Sequence, residues 1–329
     1  KGNIWAGSDN RGLLFRETKM VDSLVFSSSE NYLIQMDTVS VKRTANHIID
    51  ESKGFPSDWV RTVIADDDYI WAATYAHGVV KFNYYSDKDS LVIGKTFSSR
   101  DGITDMLIKS MVKAADGKLW YATQKGHLGY IENNKVTTVE TGLEEQTAIG
   151  SILFHDDTIF LGTSGKGIWY ANSSNPVNFQ QLKGSKHLSS NNIYQLIFDD
   201  QGNLWAGSER GVDKIELSAT NEIVDIYHFG RNDGFLGIET CLNAVDKDEE
   251  GNLWFGAIYG LTKHIPSESK KTAAVPKVYF TGVEERYKSI DSLILKDWTN
   301  TSKVLQLTPD QTQLGFSFRT VDVDHPNEV

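Results

Sequence analysis

The sequence contains a single cysteine, Cys241, among 329 residues. One cysteine excludes an intrachain disulfide and a thiolate metal cluster, but it leaves the compartment open because many exported bacterial proteins also lack disulfides. No apolar run approaches the roughly 20 residues that a membrane-spanning helix needs. The first residues do not resemble a signal peptide.

Positive charge is also scarce, since 33 Lys and Arg face 44 Asp and Glu and give a formal net charge of −11. This balance argues against nucleic acid or an anionic membrane surface as the main partner. The eight histidines are scattered without an HxH or HxxxH pairing, so we predict neither a metal site nor a cofactor. With 40% hydrophobic and 23% charged residues, the chain is expected to fold.

One phrase returns along the chain and organises it. It reads GNLWAGSERGVDKIE from Gly202, GNLWFGAIYGLTKHI from Gly251 and GNIWAGSDNRGLLFRE from Gly2. Each copy is a turn, a short strand centred on Trp, a tight turn ending in Gly and a second apolar strand, which is the pattern of a β-hairpin. Self-similarity at this scale predicts a repeat architecture.

Aligning the repeats on their aromatic residue predicts an all-β chain with a seven-bladed β-propeller over residues 1–268. The later spacings between anchors are 45, 49, 40, 45 and 49 residues, which suits four-stranded blades. The first spacing is only 21 residues, so the first blade is either incomplete or lacks residues between Arg16 and Asp22. The seven anchors are Trp5, Phe26, Trp71, Trp120, Phe160, Trp205 and Trp254.

Each anchor is followed two positions later by a small residue, as in Trp205 and Gly207 or Trp254 and Gly256. Residues two apart on a strand share a face. We therefore predict that each ring packs over the small residue of the next sheet and excludes water there.

A further strand precedes most anchors, introduced by a loop such as GFPSDWVRTVIADDD at Gly54 or HLSSNNIYQLIFDDQG at His187. We call these segments the leading loops and predict that the strands after them are innermost. The Asp-rich turn that follows, as at residues 199–202, shares residues with a calcium loop but lacks the later ligands and the bidentate Glu. A plain hairpin turn is the better interpretation.

The repeated Trp-x-Gly pattern ends after Ile265. Residues 269–274 read as a polar linker, and the alternating segments of residues 275–329 predict the start of a second β domain. Its few strands are too few to close a sandwich of immunoglobulin type, so we expect a partial β-sandwich.

These segments carry a family resemblance. The loop GFPSDWVRTVIADDD, followed by a Trp strand and a Gly-led strand, resembles the two-component regulator propeller repeat. DGFLGIETCLNAVDKDEEGNLWFGAIYGLTKHIP is similar to the variant that usually ends such propellers. VPKVYFTGVEE through LGFSFRTVDVDHPNEV resembles the start of the triple-tyrosine sandwich domain, of which the tyrosine-bearing end is missing. Phe26 and Phe160 also depart from the usual Trp.

The resemblance implies the periplasmic sensor portion of a bacterial hybrid histidine kinase, or of a related membrane-linked transcription regulator, often one that responds to carbohydrate. It implies a membrane span after this fragment and allows a homodimer. Because the chain begins inside a repeat, we expect it to be a fragment of a larger polypeptide. It has no phospho-acceptor His motif, Gly-rich ATP loop or helix-turn-helix pattern, so we expect no enzyme activity and no nucleic-acid partner in this fragment.

Strand direction alternates within a blade, so the leading loops and the hairpins after the Trp strands are predicted to emerge on one rim. We predict this rim to bind a small molecule or an oligosaccharide. Five of six hairpins carry a basic residue or His before the turn Gly, which favours an anionic ligand such as a uronic or sulfated sugar. Trp59, outside the repeated Trp set, is a candidate stacking platform. The candidate residues are Arg11, Tyr75, His77, Lys125, Lys166, Arg210 and Tyr259 on the hairpins, and Asp58, Trp59, Asp105, Asn191, Asn192 and Glu239 on the leading loops.

Other interpretations stay open at this point. Exposed hairpin tips favour long polar side chains for solvation alone. The rim could serve a protein-interaction scaffold, and propellers also build lyases and lactonases, which need a general base and a metal or anion clamp converging on the channel.

Overall fold

The chain consists of two compact units, Lys1–Pro266 and Ser267–Val329. In this computed structural model the described residues are 4–8, 10–28, 34–66, 69–85, 90–174, 176, 178–184, 187–235, 237–266, 278–285, 288–289 and 313–320. All the extended elements are β-strands, and the described helices are single 3₁₀ turns at Glu51–Lys53, Ser99–Asp101 and Arg231–Asp233.

Six antiparallel sheets make up the described part of the first unit, each a meander of consecutive strands. The first sheet contains β1 (Ile4–Gly7), β2 (Leu13–Ser28) and β3 (Ile34–Ile49). The second contains β4 (Val60–Ala65), β5 (Tyr69–Thr74), β6 (Val79–Tyr85) and β7 (Ser90–Phe97). The third contains β8 (Ile108–Lys113), β9 (Leu119–Thr123), β10 (Leu128–Glu132) and β11 (Lys135–Val139).

The remaining three sheets of this unit follow in chain order. The fourth contains β12 (Ile149–His155), β13 (Thr158–Thr163), β14 (Ile168–Asn172) and β15 (Gln180–Gln181). The fifth contains β16 (Gln195–Phe198), β17 (Leu204–Ser208), β18 (Gly211–Leu217) and β19 (Ile223–Phe229). The sixth contains β20 (Thr240–Lys247), β21 (Leu253–Ala257) and β22 (Gly260–His264). First strands of successive sheets, β4, β8, β12, β16 and β20, lie side by side, as the blades of a β-propeller do.

The described residues form six blades, so the prediction of seven is wrong. The extra anchor, Phe26, lies inside β2 and faces Met36 across the strand pair. β2 and β3 stay paired from Leu13 opposite Ile49 to Ser28 opposite Ile34. Because β2 contains neither Gly nor Pro, nothing in it ends the strand, and one long hairpin replaces the predicted extra blade.

The second unit contains one described sheet of three strands in the order β24-β23-β25. These are β23 (Val278–Glu285), β24 (Lys288–Ser289) and β25 (Leu314–Thr320). A sandwich needs a second sheet packed face to face on the first. The described residues supply no such partner sheet, so the predicted partial sandwich is not found among them.

Aromatic rings fill the spaces between neighbouring blades. The Trp205 ring lies 5.8 Å from Phe255 and 4.5 Å from His264, both in the next sheet. Trp120 likewise lies 5.6 Å from Phe154 of its neighbour. Both of these rings therefore pack between blades, as predicted.

The small residues of the Trp strands do not receive these rings, which corrects the predicted packing. A Cβ at Gly207 would meet Gln195 of its own sheet and Thr240 of the next, and one at Gly162 would meet Ile193. The small side chains are needed because the next blade's first strand passes at that level.

The Asp-rich turns are hairpin turns held by a carboxylate. Gly202 N donates to Asp199 O at 3.2 Å and closes the turn. Asp199 Oδ1 accepts from the amides of Gln201 and Asn203 at 2.9 and 2.8 Å. The hairpin interpretation is therefore confirmed.

Candidate functional site

Leading loops and hairpins of neighbouring sheets are hydrogen-bonded into one rim. At the junction of the first and second sheets, Gly12 N donates to Asp58 O at 2.7 Å and Val60 N donates to Ser8 O at 2.9 Å. At the fourth and fifth sheets, Asn191 O accepts from Gly165 N at 3.0 Å and from Gly167 N at 2.9 Å. The structure thus places these predicted loops and hairpins beside one another.

Trp59 and Tyr75 form an aromatic pair on this rim. Their ring centroids are 5.2 Å apart, and the Tyr75 amide donates to Trp59 O at 3.0 Å. Trp59 is 43% exposed, so its ring is available to a ligand. The guanidinium carbon of Arg61 lies 5.8 Å from the Trp59 ring centroid and 5.3 Å from that of Tyr75, within the range of a cation–π contact.

The carboxylates of the leading loops fasten the backbone. Asp105 is 5% exposed, and its two oxygens accept from Leu107 N at 3.2 Å and Lys125 N at 2.8 Å. Asp58 Oδ1 accepts from Glu51 N at 2.8 Å. Both predicted residues therefore help to shape the rim by holding its loops.

The other predicted loop residues lie across the rim, on the fifth and sixth sheets. Asn192 Nδ2 donates to Glu209 Oε1 at 3.4 Å, and Ser190 Oγ donates to the same oxygen at 2.7 Å. Glu239 is exposed and its carbonyl accepts from Ile258 N at 3.0 Å. Two carboxylates, those of Glu209 and Glu239, thus lie on this side of the rim.

The basic hairpin residues are dispersed, one to a hairpin. Lys166 Nζ is paired with Glu144 at 2.8 Å. Within the described ranges, no hydrogen bond or ion pair joins any two of the five basic hairpin residues, which are Arg11, His77, Lys125, Lys166 and Arg210. Tyr259, on the last hairpin, is 84% exposed. The role of these hairpin residues in binding stays a prediction.

Two basic residues that were absent from the sequence prediction occupy equivalent bulges of adjacent first strands. The pairing of β4 with β5 skips from Val60 to Thr62, and Arg61 is the extra residue. The pairing of β8 with β9 skips in the same way, and Lys109 is the extra residue. Burial lowers the pKa of Lys109 below its usual value, and the charge of Arg61 lowers it further. Aligning the leading-loop strands with one another would have shown this shared position.

Asn243 of β20 connects the first strand β8 with the residue that precedes the first strand β16. Its Nδ2 donates to Lys109 O at 3.0 Å, its Oδ1 accepts from Ser110 Oγ at 3.2 Å, and its own amide donates to Tyr194 O at 3.0 Å. Asn243 lies in the irregular stretch of β20 between the paired residues Thr240 and Val245. It has a φ of 56°, which Asn tolerates better than most residues. Asn243 therefore joins β8 through its side chain and the start of the fifth sheet through its backbone.

Sequence reasoning also missed a cavity of about 530 Å³ beside the fifth sheet. Its lining includes Ser189, Asp213 and His228. Asp213 is 1% exposed; one oxygen contacts His228 Nδ1 at 2.8 Å, and the other accepts from Ser189 N and Oγ at 2.8 and 2.9 Å. The second sheet has Val80 at the position of Asp213, so this carboxylate is peculiar to one blade.

Six sheets of consecutive antiparallel strands, with Asp-held turns in the fifth and sixth, and a rim built from leading loops and hairpins, define a β-propeller built from repeats. Residues 187–210, which span a leading loop, a first strand and a Trp strand, match the family described as two component regulator propeller. Over these residues the chain is similar to a repeat of that family.

Comparison with other proteins gives the same class. The chain is 22% identical to Histidine kinase P4 of Formosa agariphila over 344 aligned residues, covering 96% of this chain and 24% of the relative. It is similar in structure to the extracellular domain of the putative hybrid two component system BT3049 from B. thetaiotaomicron, with a TM-score of 0.68, 17% identity and coverage of 99% of this chain and 41% of that one.

A second structure, the extracellular domain of the putative one component system BT4673 from B. thetaiotaomicron, gives a TM-score of 0.52 at 19% identity, covering 85% of this chain and 38% of that one. At such identities the likeness shows the fold. Both matched domains belong to putative regulatory systems.

None of the helices among the described residues has the length and hydropathy of a membrane span. Nor do those residues contain three or more His, Cys, Asp or Glu side chains grouped to hold a metal ion.

Proposed function

We propose that this chain is the extracytoplasmic, ligand-sensing region of a membrane-linked two-component regulator of the hybrid histidine kinase type. The propeller repeat at residues 187–210 and the alignment of 96% of the chain with a histidine kinase support this assignment. The chain spans about a quarter of that relative's length, so kinase output, a periplasmic location and a following membrane span belong to the proposal. A triple-tyrosine identity for residues 275–329 belongs to it as well.

The rim is the proposed binding face, and its ligand an oligosaccharide or another small polar molecule. The observation that carries this choice is the pair of exposed Trp59 and half-buried Tyr75, held on a hydrogen-bonded rim among polar loops. A sugar ring offers an apolar CH face to an aromatic ring and hydroxyl groups to amides and carboxylates. Asn192 and Glu239 supply such groups across the same rim.

A glycan array followed by calorimetry on the 329-residue chain tests this function. We expect at least one oligosaccharide to bind, and Trp59→Ala to weaken it by tenfold or more, since stacking is lost. Tyr69→Ala is the matched control: Tyr69 is 36% exposed and begins β5, whereas Tyr75 follows the other end of that strand. Equal affinity in the Trp59→Ala and unmodified chains would overturn the assignment of the rim.

A further inference from the structure

The first strands of the second and third sheets present two cations at equivalent positions beside the axis. Arg61 and Lys109 are the bulge residues of β4 and β8, which are neighbouring strands. A bulge residue is left out of the ladder and re-aims its side chain. The shared offset therefore brings two positive groups to the same level of adjacent blades.

The position of each residue is fixed by its surroundings. Arg61 lies within cation–π distance of the Trp59 and Tyr75 rings, which places its guanidinium at the aromatic pair on the rim. The Lys109 backbone is tied to the axis by the bond from Asn243 Nδ2 to its carbonyl, 3.0 Å long. The guanidinium thus lies at the aromatic pair, and the Lys109 backbone lies at the axial amide on the neighbouring first strand.

The two positive charges at these bulges favour an added negative charge. Lys109 is partly buried, and no carboxylate in the described part of the chain lies within ion-pair distance of its Nζ. Its pKa is lowered by burial and by the neighbouring charge of Arg61. Holding two like charges together out of water is costly, and such perturbed groups concentrate at functional sites. Glu209 and Glu239 lie across the rim beside Tyr194, whose pKa is raised by burial and further by these two charges.

We propose that Arg61 and Lys109 together bind an oxyanion, the carboxylate or sulfate group of the ligand, while the Trp59–Tyr75 pair stacks on the ring that carries it. The inference rests on the proposed sensor function and assigns its ligand class as an acidic sugar or similar ring. The planar guanidinium of Arg61 can donate two parallel hydrogen bonds to such a group, and the ammonium of Lys109 adds a second positive charge. The site differs from the dispersed hairpin cations, because its two charges lie on adjacent strands.

Calorimetry of the 329-residue chain at low ionic strength tests the site with three probes: sodium sulfate, sodium glucuronate and glucose. We expect saturable binding of sulfate, glucuronate or both, and the arm that binds more tightly identifies the oxyanion. Arg61→Met and Lys109→Met should each weaken it by at least tenfold, whereas Lys109→Arg retains most of the affinity. The control Lys135→Met removes an equal charge from the outer strand β11 and should change nothing.

Thermal unfolding provides a second measurement. Without a ligand, Lys109→Met should unfold at a higher temperature than the unmodified chain, because a partly buried repulsion is removed. Unfolding at the same or a lower temperature, or oxyanion affinity equal in the unmodified chain and the Arg61→Met, Lys109→Met double variant, would overturn the proposal. An oligosaccharide that binds the double variant normally would sink this inference and leave the sensor function standing. If the oxyanion binds as expected but no glycan ligand is found, the sensor function is overturned and the oxyanion site stands.

Discussion

The indole Nε1 of Trp205 donates a 2.8 Å hydrogen bond to Asp199 Oδ2, six residues earlier in the chain. The same bond recurs in the next blade, from Trp254 to Asp248, also at 2.8 Å. The carboxylate thus joins the turn to the ring that fills the space between blades. The repeat contains Asp, Asn and Trp at fixed spacing because the Asp carboxylate accepts hydrogen bonds from both the Asn and the Trp.

Removing the Asp199 carboxylate should be costly. Asp199 is 6% exposed, and its loss leaves the buried Trp205 Nε1 and two turn amides without acceptors. We expect Asp199→Ala to lower the free energy of unfolding by about 2–3 kcal/mol in denaturant titration. Asp200→Ala is the control, because Asp200 is 66% exposed and its pair with Lys247 is worth roughly 0–1 kcal/mol. Equal effects of the two changes would contradict the structural role of the bond.

The third blade lacks the bond between the Trp indole and a turn carboxylate, and a single substitution can introduce it. Its turn has the same backbone bonds, but Ala114 stands where Asp199 does, and the buried Trp120 Nε1 has no hydrogen-bond partner among the described residues. Ala114→Asp should supply an acceptor and stabilise the chain by about 1 kcal/mol. In a Trp120→Phe background the same change should give no gain, because the donor is absent. A gain in both backgrounds would mean that the new carboxylate acts elsewhere.

The corresponding bond in the sixth blade makes stability depend on acid. The hydrogen bond from Trp254 lowers the pKa of Asp248 from 3.8 to about 2. Because the folded pKa lies below the unfolded one, this stabilisation is present above about pH 4 and is lost as the pH falls toward 2. The stability difference between the unmodified chain and Asp248→Asn should shrink across that window in denaturant titrations at several pH values. Asp246→Asn, an exposed neighbour on β20, is the control, and a difference independent of pH would refute the assignment.

The sequence was sufficient for the fold class because its strongest signals are local. Gly-led turns and Trp strands mark each hairpin, and the segment of residues 187–210 that matches the propeller family has this pattern. The blade count was wrong because Phe26 lies in an alternating segment, which looks the same in a blade strand and in a long hairpin. Only pairing with β3 distinguishes the two.

The site was harder to predict than the fold. Trp59 could be singled out because it lies outside the repeated Trp set, and the structure pairs it with Tyr75. Arg61 and Lys109 could not, because their importance depends on two bulges and on the contact between neighbouring sheets. Such positions follow from register, which a single strand sequence does not specify.

Gln195 forms a clamp between the fifth and sixth blades. It is fully buried, and its Nε2 lies 2.7 Å from Cys241 O and 2.9 Å from both Ala244 O and Gly256 O. Because three acceptors surround the amide nitrogen, the side chain cannot move far without leaving buried carbonyls unsatisfied.

The clamp determines what Gly207 tolerates. A Cβ there would approach Gln195 Oε1 to 2.7 Å and both Gln195 Cβ and Thr240 Oγ1 to 3.0 Å. Gly207→Val should therefore overpack this contact and cost about 1–3 kcal/mol in denaturant unfolding, with Gly207→Ala costing less. In a Gln195→Ala background the Gly207→Ala cost should fall, because the closest atom has been removed, and the double-mutant cycle measures that coupling. A Gly207→Val change below about 0.5 kcal/mol, within the usual range for surface sites, would show that the clamp yields and that the glycine is not required by packing.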